Sequence, residues 1–201
     1  TVEYLTERTY PINNSHTVLL HAASGGVGQI ATQWLKSKGA KVIGTVGSTD
    51  KAQLAKNNGC DEVILYKETN FKEAVMEITK GVGVDVVYDG VGKDTALLGL
   101  ECLSPLGMLV IFGNSSGNAP AIDPSLLASK GSLFVTRPTL MTYNAKFNDM
   151  QKSAQRVFDM LTSNVISPNI GKEFDLSEIV GVHKELESRN TKGSIVLKNN
   201  Y

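Results

Sequence analysis

The part of the chain that carries the clearest chemistry is a glycine-rich segment between an apolar run and a helical pattern. Residues 21–28 read His-Ala-Ala-Ser-Gly-Gly-Val-Gly. Where a strand turns into a helix, the helix N-terminus attracts an anion, and glycine lets a phosphate approach because it has no Cβ. Gly25 and Gly28 match the last two glycines of the dinucleotide-binding pattern, and Ala23 stands at the first. The segment predicts a pyrophosphate site; the alternative is an ordinary tight turn.

The residues after the second apolar run bear on the choice between two nicotinamide coenzymes. NAD-binding domains place an acidic residue about 20 positions after the last glycine, where it binds the ribose 2′-hydroxyl. Here the strand ends in Gly47 and Ser48, and Lys51 follows one helical turn later. A hydroxyl and an ammonium group suit a 2′-phosphate, so the pattern favours NADP(H). Asp50 is either a displaced acid or a first-turn residue favoured by the helix dipole, and Lys51 could also be a solvated surface lysine.

Three further strand ends are candidates for the same site. Tyr66 ends the third run, where it either flanks the coenzyme or is a half-buried strand residue. Residues 89–92 and 112–117 form glycine-containing loops after the next two runs. Ligands of doubly wound sheets lie outside the carboxyl ends of the strands, so both loops are expected near the nicotinamide half. Asp89 has no visible catalytic partner, and a turn-forming role is preferred for it.

Composition excludes several functional classes. The 201 residues include 20 basic and 20 acidic side chains, so no net charge draws the protein to nucleic acid or membrane. No apolar run reaches the length of about 18 residues needed for a membrane span, and no signal peptide is recognised. With only two cysteines, a reducing, cytoplasmic setting is expected. Because the chain starts at Thr1 with a helical pattern, we expect it to be a piece of a longer protein.

Other reactive arrangements are missing from the sequence. The histidines His16, His21 and His183 are scattered, and Cys60 and Cys102 form no zinc-spaced set with them. No G-x-S-x-G nucleophile motif occurs, and Cys60 has no evident activating partner. His21 is expected to pack at a strand end. We therefore predict no metal site and identify no proton-transfer group.

Six apolar runs and the helical stripes between them must position these loops. The runs are largely continuous, as in parallel strands covered by helices on both faces. Strands are predicted at residues 17–22, 41–46, 62–66, 84–89, 108–113 and 132–136, and helices at 2–10 and from about 27, 48, 70 and 94. Trp34 lies on the apolar stripe of the second helix, and a core contact is expected for it. The order predicts an α/β fold with a doubly wound, parallel six-stranded Rossmann sheet in strand order 3-2-1-4-5-6.

The last third of the chain has a different pattern. After Pro138, a long amphipathic helix is predicted over residues 144–163. A short strand at 170–174, a helix at 177–188 and a strand at 194–198 follow. These elements do not continue the parallel alternation, and they are expected to pair with something outside the sheet.

Taken in order, the loops resemble those of one family. The motifs are residues 21–28, Tyr-Asp-Gly-Val-Gly at 88–92, Phe-Gly-Asn-Ser-Ser-Gly at 112–117, Val-Thr-Arg-Pro at 135–138 and Glu-Ser-Arg at 187–189. From Thr1 to about Leu197 the chain resembles the zeta-crystallin-type NADPH:quinone oxidoreductases, zinc-free members of the medium-chain dehydrogenase/reductase superfamily. Ser24 and Gly90 depart from the alanine and serine that are common at their positions.

The resemblance implies a division of the chain. Residues 1–165 would form the NADP(H)-binding Rossmann domain with its flanking helices. Residues 166–201 would be the C-terminal return segment of a GroES-like catalytic domain whose N-terminal half is absent here. Exposed apolar surface is therefore expected where that half would pack. The resemblance also implies a homodimer, formed through the edge strand that begins at Ser132 and ends at Thr136.

The resemblance also implies roles for individual residues. Gly26 and Val27, between Gly25 and Gly28, would lie against the pyrophosphate. The 2′-phosphate would be surrounded by Gly47, Ser48, Lys51 and Tyr66. The path from adenosine to nicotinamide would be lined by Val91, Phe112, Gly113, Asn114 and Ser115. Arg137, Pro138 and Leu140 would close the site near the nicotinamide and the substrate; Arg137 would orient a quinone oxygen or form a structural salt bridge.

The expected activity is hydride transfer from NADPH to a quinone or a similar conjugated carbonyl. Three alternatives remain. The first is an alkenal or enoyl reductase of the same superfamily, and the second is a non-catalytic NADPH-binding protein with a structural or RNA-associated role. The third is a methyltransferase that uses S-adenosylmethionine, which normally needs an acid where this chain has Gly47. The piece alone is expected to bind coenzyme without turning over substrate.

Overall fold

The structure is a computed structural model that describes residues 1–187 and 194–199. Its main unit is a sheet of six parallel strands. The strands are β1 (Thr17–His21), β2 (Lys41–Val46), β3 (Glu62–Leu65), β4 (Val84–Asp89), β5 (Leu103–Ile111) and β6 (Phe134–Thr136). They lie in the order β3-β2-β1-β4-β5-β6. This confirms the predicted six-stranded doubly wound sheet and its strand order.

Helices cover both faces of this sheet. They are α1 (Val2–Tyr4), which continues as a π-helical segment (Leu5–Thr9), α2 (Gly26–Ser37), α3 (Thr49–Asn57), α4 (Phe71–Ile78), α5 (Ala96–Leu100), α6 (Pro124–Ser129), α7 (Leu140–Tyr143) and α8 (Phe147–Thr162). The short helices α6 and α7 were not predicted. The predicted helix over residues 144–163 begins three residues later than expected, and the one near residue 94 begins at Ala96.

The continuous apolar runs are explained by two separate cores. Val18 and Leu20 pack into the cluster that contains Trp34, while Leu19 between them packs into the opposite cluster with Phe71. Successive strand residues point to opposite faces, so a strand covered on both sides must be apolar at every position. The predicted core contact of Trp34 is confirmed, and its indole N–H donates to a Glu7 carboxylate oxygen at 2.8 Å.

The end of β1 and the beginning of β6 lie close to residues whose backbone leaves the extended region. Ala22 has a φ of 55°, so β1 ends one residue before the predicted end. Ser132 has a φ of 57°, and β6 accordingly begins at Phe134 rather than at Ser132. Non-glycine residues seldom adopt this left-handed region, and neither Ala22 nor Ser132 is part of the adjoining strand. The strand β5 extends further toward the N-terminus than the predicted 108–113 and stops at Ile111.

The C-terminal elements form a second, smaller unit. The strands β7 (Ile170–Asp175) and β8 (Ser194–Lys198) pair with each other in parallel. A 3-10 turn (Leu176–Glu178) and helix α9 (Ile179–Glu187) follow β7. These strands lie outside the six-stranded sheet, as expected, but they pair with one another. Of the predicted 187–189 motif, Ser188 and Arg189 lie outside the described residues.

Apolar side chains are exposed on the helices that follow the sheet. Phe147 and Phe158 of α8 are 66% and 59% exposed, and Met141 of α7 is also exposed. Exposed apolar surface was expected in this chain, and what covers it stays a prediction.

None of the helices in the described residues combines the length and apolarity that crossing a membrane requires.

Candidate functional site

A cavity of about 630 Å³ opens at the carboxyl ends of β1, β2 and β3. The N-terminal residues of α4 and α5 complete its wall. Its volume is in the range of small-molecule and cofactor sites. The residues of the sequence-predicted site that line it are Gly25, Gly47, Lys51, Tyr66, Val91 and Ser115. The sheet topology thus brings together residues that are up to 90 positions apart in the sequence, from residue 25 to residue 115.

The glycine-rich turn packs tightly against the end of β1. The Gly25 N–H donates to the Ala22 carbonyl at 2.9 Å, and α2 begins at the next residue. A Cβ at Gly28 would stand 2.3 Å from the same carbonyl oxygen, so only glycine permits this approach. The first backbone N–H groups of a helix have no partner within it. Gly26, Val27 and Gly28 lie in that first turn beside the cavity rather than among its lining residues.

The ends of β2 and β3 form one corner of the cavity. The strands are parallel neighbours in which Val46 pairs with Leu65, so Gly47 and Tyr66 follow side by side. A Cβ at Gly47 would lie 2.8 Å from the Tyr66 hydroxyl oxygen, which shows how closely the phenol covers the strand end. We call Gly47, Lys51 and Tyr66 the tyrosine corner; all three line the cavity.

Two neighbouring residues stand apart from this corner. Ser48 is the N-cap residue of α3, and Asp50 lies in the first turn of that helix. Neither residue lines the cavity, although Ser48 was predicted at the 2′-phosphate. The carboxylates that do line it belong to Glu68 and Asp94, beyond the ends of β3 and β4. The segment from the end of β2 into α3 therefore contributes Gly47 and Lys51 to the wall and no acid.

Asp89 holds the loop after β4 in shape. Its Oδ1 accepts hydrogen bonds from the N–H groups of Val91 at 2.7 Å and Gly92 at 3.0 Å. Its Oδ2 accepts one from the Thr95 hydroxyl at 2.8 Å. The carboxylate is fully buried and its oxygens are occupied by this turn. The preferred turn-forming role of Asp89 is confirmed.

The loops after β4 and β5 pack directly on each other. The Ser115 N–H donates to the Gly90 carbonyl at 3.2 Å, and a Cβ at Gly113 would lie 2.6 Å from that oxygen. Ser115 and Val91 reach the cavity, whereas the predicted residues Phe112, Gly113 and Asn114 do not line it. The two loops therefore lie together as expected, but only Val91 and Ser115 of their predicted residues line the cavity.

The residues that line the cavity do not include the predicted Arg137, Pro138 and Leu140. The Arg137 guanidinium donates from Nη1 to the Pro138 carbonyl at 3.1 Å. Within residues 1–187 and 194–199, no carboxylate forms an ion pair with it. The alternative of a structural salt bridge thus finds no partner in the described part of the chain, and the substrate-orienting role stays a prediction.

The polar base of the cavity was not predicted from the sequence. His21 and Thr45 are register partners on β1 and β2, with the imidazole Nδ1 2.9 Å from the threonine hydroxyl. The ring meets Phe71 edge-on at 4.9 Å between centroids. Burial lowers the pKa of His21, against the opposing effect of the Asp89 charge. His21 does pack at a strand end as expected, but the rule that ligands lie at carboxyl strand ends could also have identified it as a lining residue.

The remaining reactive groups offer no second centre. Burial raises the pKa of the Cys60 thiol to about 11 and that of the Cys102 thiol to about 12. Thiols with such pKa values are protonated at neutral pH and are poor nucleophiles. Across the described ranges, no cluster of three or more histidine, cysteine, aspartate or glutamate side chains is arranged to hold a metal ion.

A sequence profile, related sequences and solved structures all indicate the same protein family. The sequence profile described as zinc-binding dehydrogenase matches residues 26–159. The chain is 44% identical over 98% of its length to a quinone oxidoreductase of Pseudomonas aeruginosa, and 42% identical over 98% to a 2-haloacrylate reductase of a Burkholderia species. A crystal structure of Escherichia coli quinone oxidoreductase complexed with NADPH superposes with a TM-score of 0.94 at 43% identity, over 98% of this chain and 61% of that one.

The chain spans about three fifths of these relatives: 61% of the Pseudomonas protein and 60% of the Burkholderia protein. The matched region includes the glycine-rich helix α2, the tyrosine corner and the loops after β4 and β5. The resemblance identified from the loop motifs is therefore confirmed. The chain belongs to the zinc-binding dehydrogenase family and is the cofactor-binding half of a medium-chain dehydrogenase/reductase.

Proposed function

We propose that this chain binds NADP(H) in the cavity and is the coenzyme-binding half of an NADPH-dependent quinone reductase. The tyrosine corner carries the proposal: past the end of β2 the wall contains a glycine, an ammonium group and a phenol hydroxyl. A 2′-phosphate is stabilised by such donors and cations, whereas the ribose 2′-hydroxyl of NAD(H) is normally bound by a carboxylate.

The glycine-rich turn fits the other charged part of the coenzyme. The close contact at Gly28 brings the start of α2 against the end of β1. The N–H groups of Gly26 and Val27 are then available to the pyrophosphate, which the helix dipole also favours. From there Val91 and Ser115 would guide the coenzyme toward its nicotinamide end. When bound, the reduced nicotinamide supplies a hydride, and the protein contributes binding, orientation and exclusion of water.

The substrate assignment rests on relatives rather than on this cavity. The Pseudomonas aeruginosa and Escherichia coli relatives are named quinone oxidoreductases, which supports a quinone or a similar conjugated carbonyl. The 42% identity to a 2-haloacrylate reductase favours a second candidate, an NADPH-dependent reductase of activated alkenes such as alkenals or enoyl compounds. Both candidates transfer hydride from the same coenzyme to an electron-poor conjugated acceptor.

The wider assembly is part of the proposal. Residues 1–165 would form the coenzyme domain, and residues 166–201 would return to a catalytic domain outside this chain. The strand β6 lies at one edge of the six-stranded sheet, which supports a homodimer through residues 132–136. Cys60 and Cys102 are both free and buried, which fits a reducing cytoplasm. The enzyme would be zinc-free, as in the subfamily that the loop motifs resemble.

Calorimetric titration of the chain with NADPH, NADH and adenosine 2′,5′-bisphosphate tests the proposal. NADPH and the bisphosphate should bind at least about tenfold more tightly than NADH, a difference of about 1.4 kcal/mol. Equal affinity for NADPH and NADH would contradict the coenzyme assignment. Turnover of 1,2-naphthoquinone against crotonaldehyde by the longer protein that contains this chain would then separate the two substrate candidates. NADPH binding with neither substrate reduced would favour a non-catalytic role.

A further inference from the structure

The polar base of the cavity consists of His21, Thr45 and Phe71, which we call the cavity floor. All three line the cavity and are at most 7% exposed, with His21 at 2%. The imidazole is fixed from two sides, by the Thr45 hydroxyl at Nδ1 and by the Phe71 ring at its edge. Its Nε2 is buried and has no hydrogen-bond partner among the described residues. The floor therefore contains one buried polar atom that forms no hydrogen bond within the described residues.

The position of the imidazole hydrogen decides whether Nε2 is a hydrogen-bond donor or an acceptor. Burial disfavours the imidazolium form, so a single ring nitrogen carries hydrogen. If Nδ1 carried it, the buried Thr45 hydroxyl hydrogen and the Nε2 lone pair would both lack partners in the described structure. If instead the hydroxyl donates to Nδ1, only the Nε2–H remains unused. The second arrangement is favoured because it leaves fewer buried polar groups without a partner, and each such group raises the free energy of the folded chain. Nε2 is thus a hydrogen-bond donor.

We propose that His21 recognises the adenine base of the coenzyme by donating from Nε2–H to a ring nitrogen, with Thr45 as the positioning residue. This inference rests on the proposed NADP(H) function. The base is attached to the same ribose as the 2′-phosphate, so a phosphate held at the tyrosine corner places the base within this cavity. Adenine is flat, and its N1, N3 and N7 atoms are acceptors.

The rest of the wall favours a base over a second phosphate at this position. Phe71 and Leu98 give the cavity an apolar surface beside the histidine. The charge of the Asp89 carboxylate acts on the imidazole, so a second anion beside this ring would be repelled. A neutral imidazole N–H among such groups suits a neutral ring nitrogen.

The test uses adenosine 2′,5′-bisphosphate and its 1-deaza, 3-deaza and 7-deaza forms, in each of which C–H replaces one ring nitrogen. Each is titrated into the full chain and into His21→Phe, which keeps an aromatic ring but removes both nitrogens. One deaza form should bind the unaltered chain about five- to tenfold more weakly than the parent, the effect of one buried hydrogen bond. In His21→Phe that form and the parent should bind equally.

Two further variants separate positioning from folding. Thr45→Val, which removes the hydroxyl, should reduce the discrimination, and Thr45→Ser should keep it. His16→Phe, a substitution at a histidine away from the cavity lining, should leave all four affinities unchanged. Thermal unfolding of each variant checks that the fold is retained.

The possible outcomes distinguish this inference from the function on which it rests. If the parent bisphosphate binds but all four ligands bind the unaltered chain alike, the histidine contact is wrong while the NADP(H) site stands. The same conclusion follows if a deaza preference survives in His21→Phe. If the parent bisphosphate does not bind the unaltered chain at all, the NADP(H) assignment fails together with the inference.

Discussion

The two sheets of this protein differ in how completely they are covered. In the six-stranded sheet, β1 and β2 each bury every residue after their first. In the pair β7–β8, by contrast, every described strand residue is half-buried or exposed. Strands buried on both faces belong to a complete hydrophobic core, whereas the β7–β8 pair is still exposed to solvent. The candidate site lies in the unit of the six-stranded sheet.

Helix α8 shows the same contrast within one element. Val157, Met160 and Leu161 pack against the core that contains Trp34. Phe147 and Phe158 point away from it and are largely exposed. An apolar side chain contributes to stability in proportion to the surface that it removes from water. The inner row of α8 therefore stabilises this chain, while the outer row contributes little to it.

The largest predicted effect compares alanine substitutions in these two environments. Leu35→Ala, in the fully buried core, should lower the free energy of unfolding by about 2–5 kcal/mol. Phe158→Ala, on the outer row of α8, should change it by less than about 0.5 kcal/mol. Urea denaturation followed by circular dichroism measures both. A similar loss in the two variants would mean that the outer row is buried within the folded chain.

The next prediction compares two glycines. Gly28→Ala places a Cβ 2.3 Å from a backbone oxygen and should destabilise the chain by about 3 kcal/mol. The matched control is Gly181→Ala in α9, where a Cβ meets no atom within 4 Å. The control should be neutral or stabilise by up to about 1 kcal/mol, because alanine favours helix. Thermal unfolding compares the two, and a neutral Gly28→Ala would disprove the close helix–strand contact.

A smaller effect is predicted at the tyrosine corner. In Gly47→Ala the new Cβ would displace the Tyr66 ring, which is half exposed and able to move. Stability should change by less than about 0.5 kcal/mol, whereas NADPH affinity should fall about fivefold. Tyr66→Phe removes the hydroxyl without displacing the ring and should give a comparable loss. Calorimetric titration decides the point; unchanged NADPH affinity in both variants would remove Tyr66 from the 2′-phosphate site.

The smallest effect concerns pH. The pKa of His21 is lowered in the folded chain, so below about pH 6.5 the unfolded chain binds a proton that the folded chain does not. Stability should therefore fall with pH, by roughly 1 kcal/mol or less from His21 between about pH 7.5 and about pH 6. His21→Phe should reduce this dependence relative to the unaltered chain. Identical pH profiles of the melting temperature would show that the histidine is not held neutral.

The sequence predicted the sheet because that information is local. Runs such as the one that contains Leu19 are apolar at every position, and only burial on two faces explains this pattern. The strand order then followed from the topology typical of such domains. Strand ends were less predictable, since Ala22 and Ser132 adopt positive φ angles to which neither residue type points.

The site was predicted where a single loop defines it and missed where several elements meet. The glycine turn and the segment from Gly47 to Lys51 are visible as residue types at known spacing, whereas Tyr66 was assigned to the same corner through the family resemblance. The contact between His21 and Thr45 joins residues 24 positions apart, and Phe71 arrives from a third element. Likewise, Arg8 binds the Tyr143 carbonyl across 135 positions, a contact that no local pattern announces. Such pairs depend on tertiary packing.

The most direct test of the central claim is the ratio of the NADH and NADPH dissociation constants in the chain and in Lys51→Ala. Lys56→Ala, at the opposite end of the same helix, is the matched control. If Lys51 binds the 2′-phosphate, its removal should lower the preference for NADPH about tenfold, mainly by weakening NADPH, while the control keeps it. An unchanged ratio in Lys51→Ala would contradict the account.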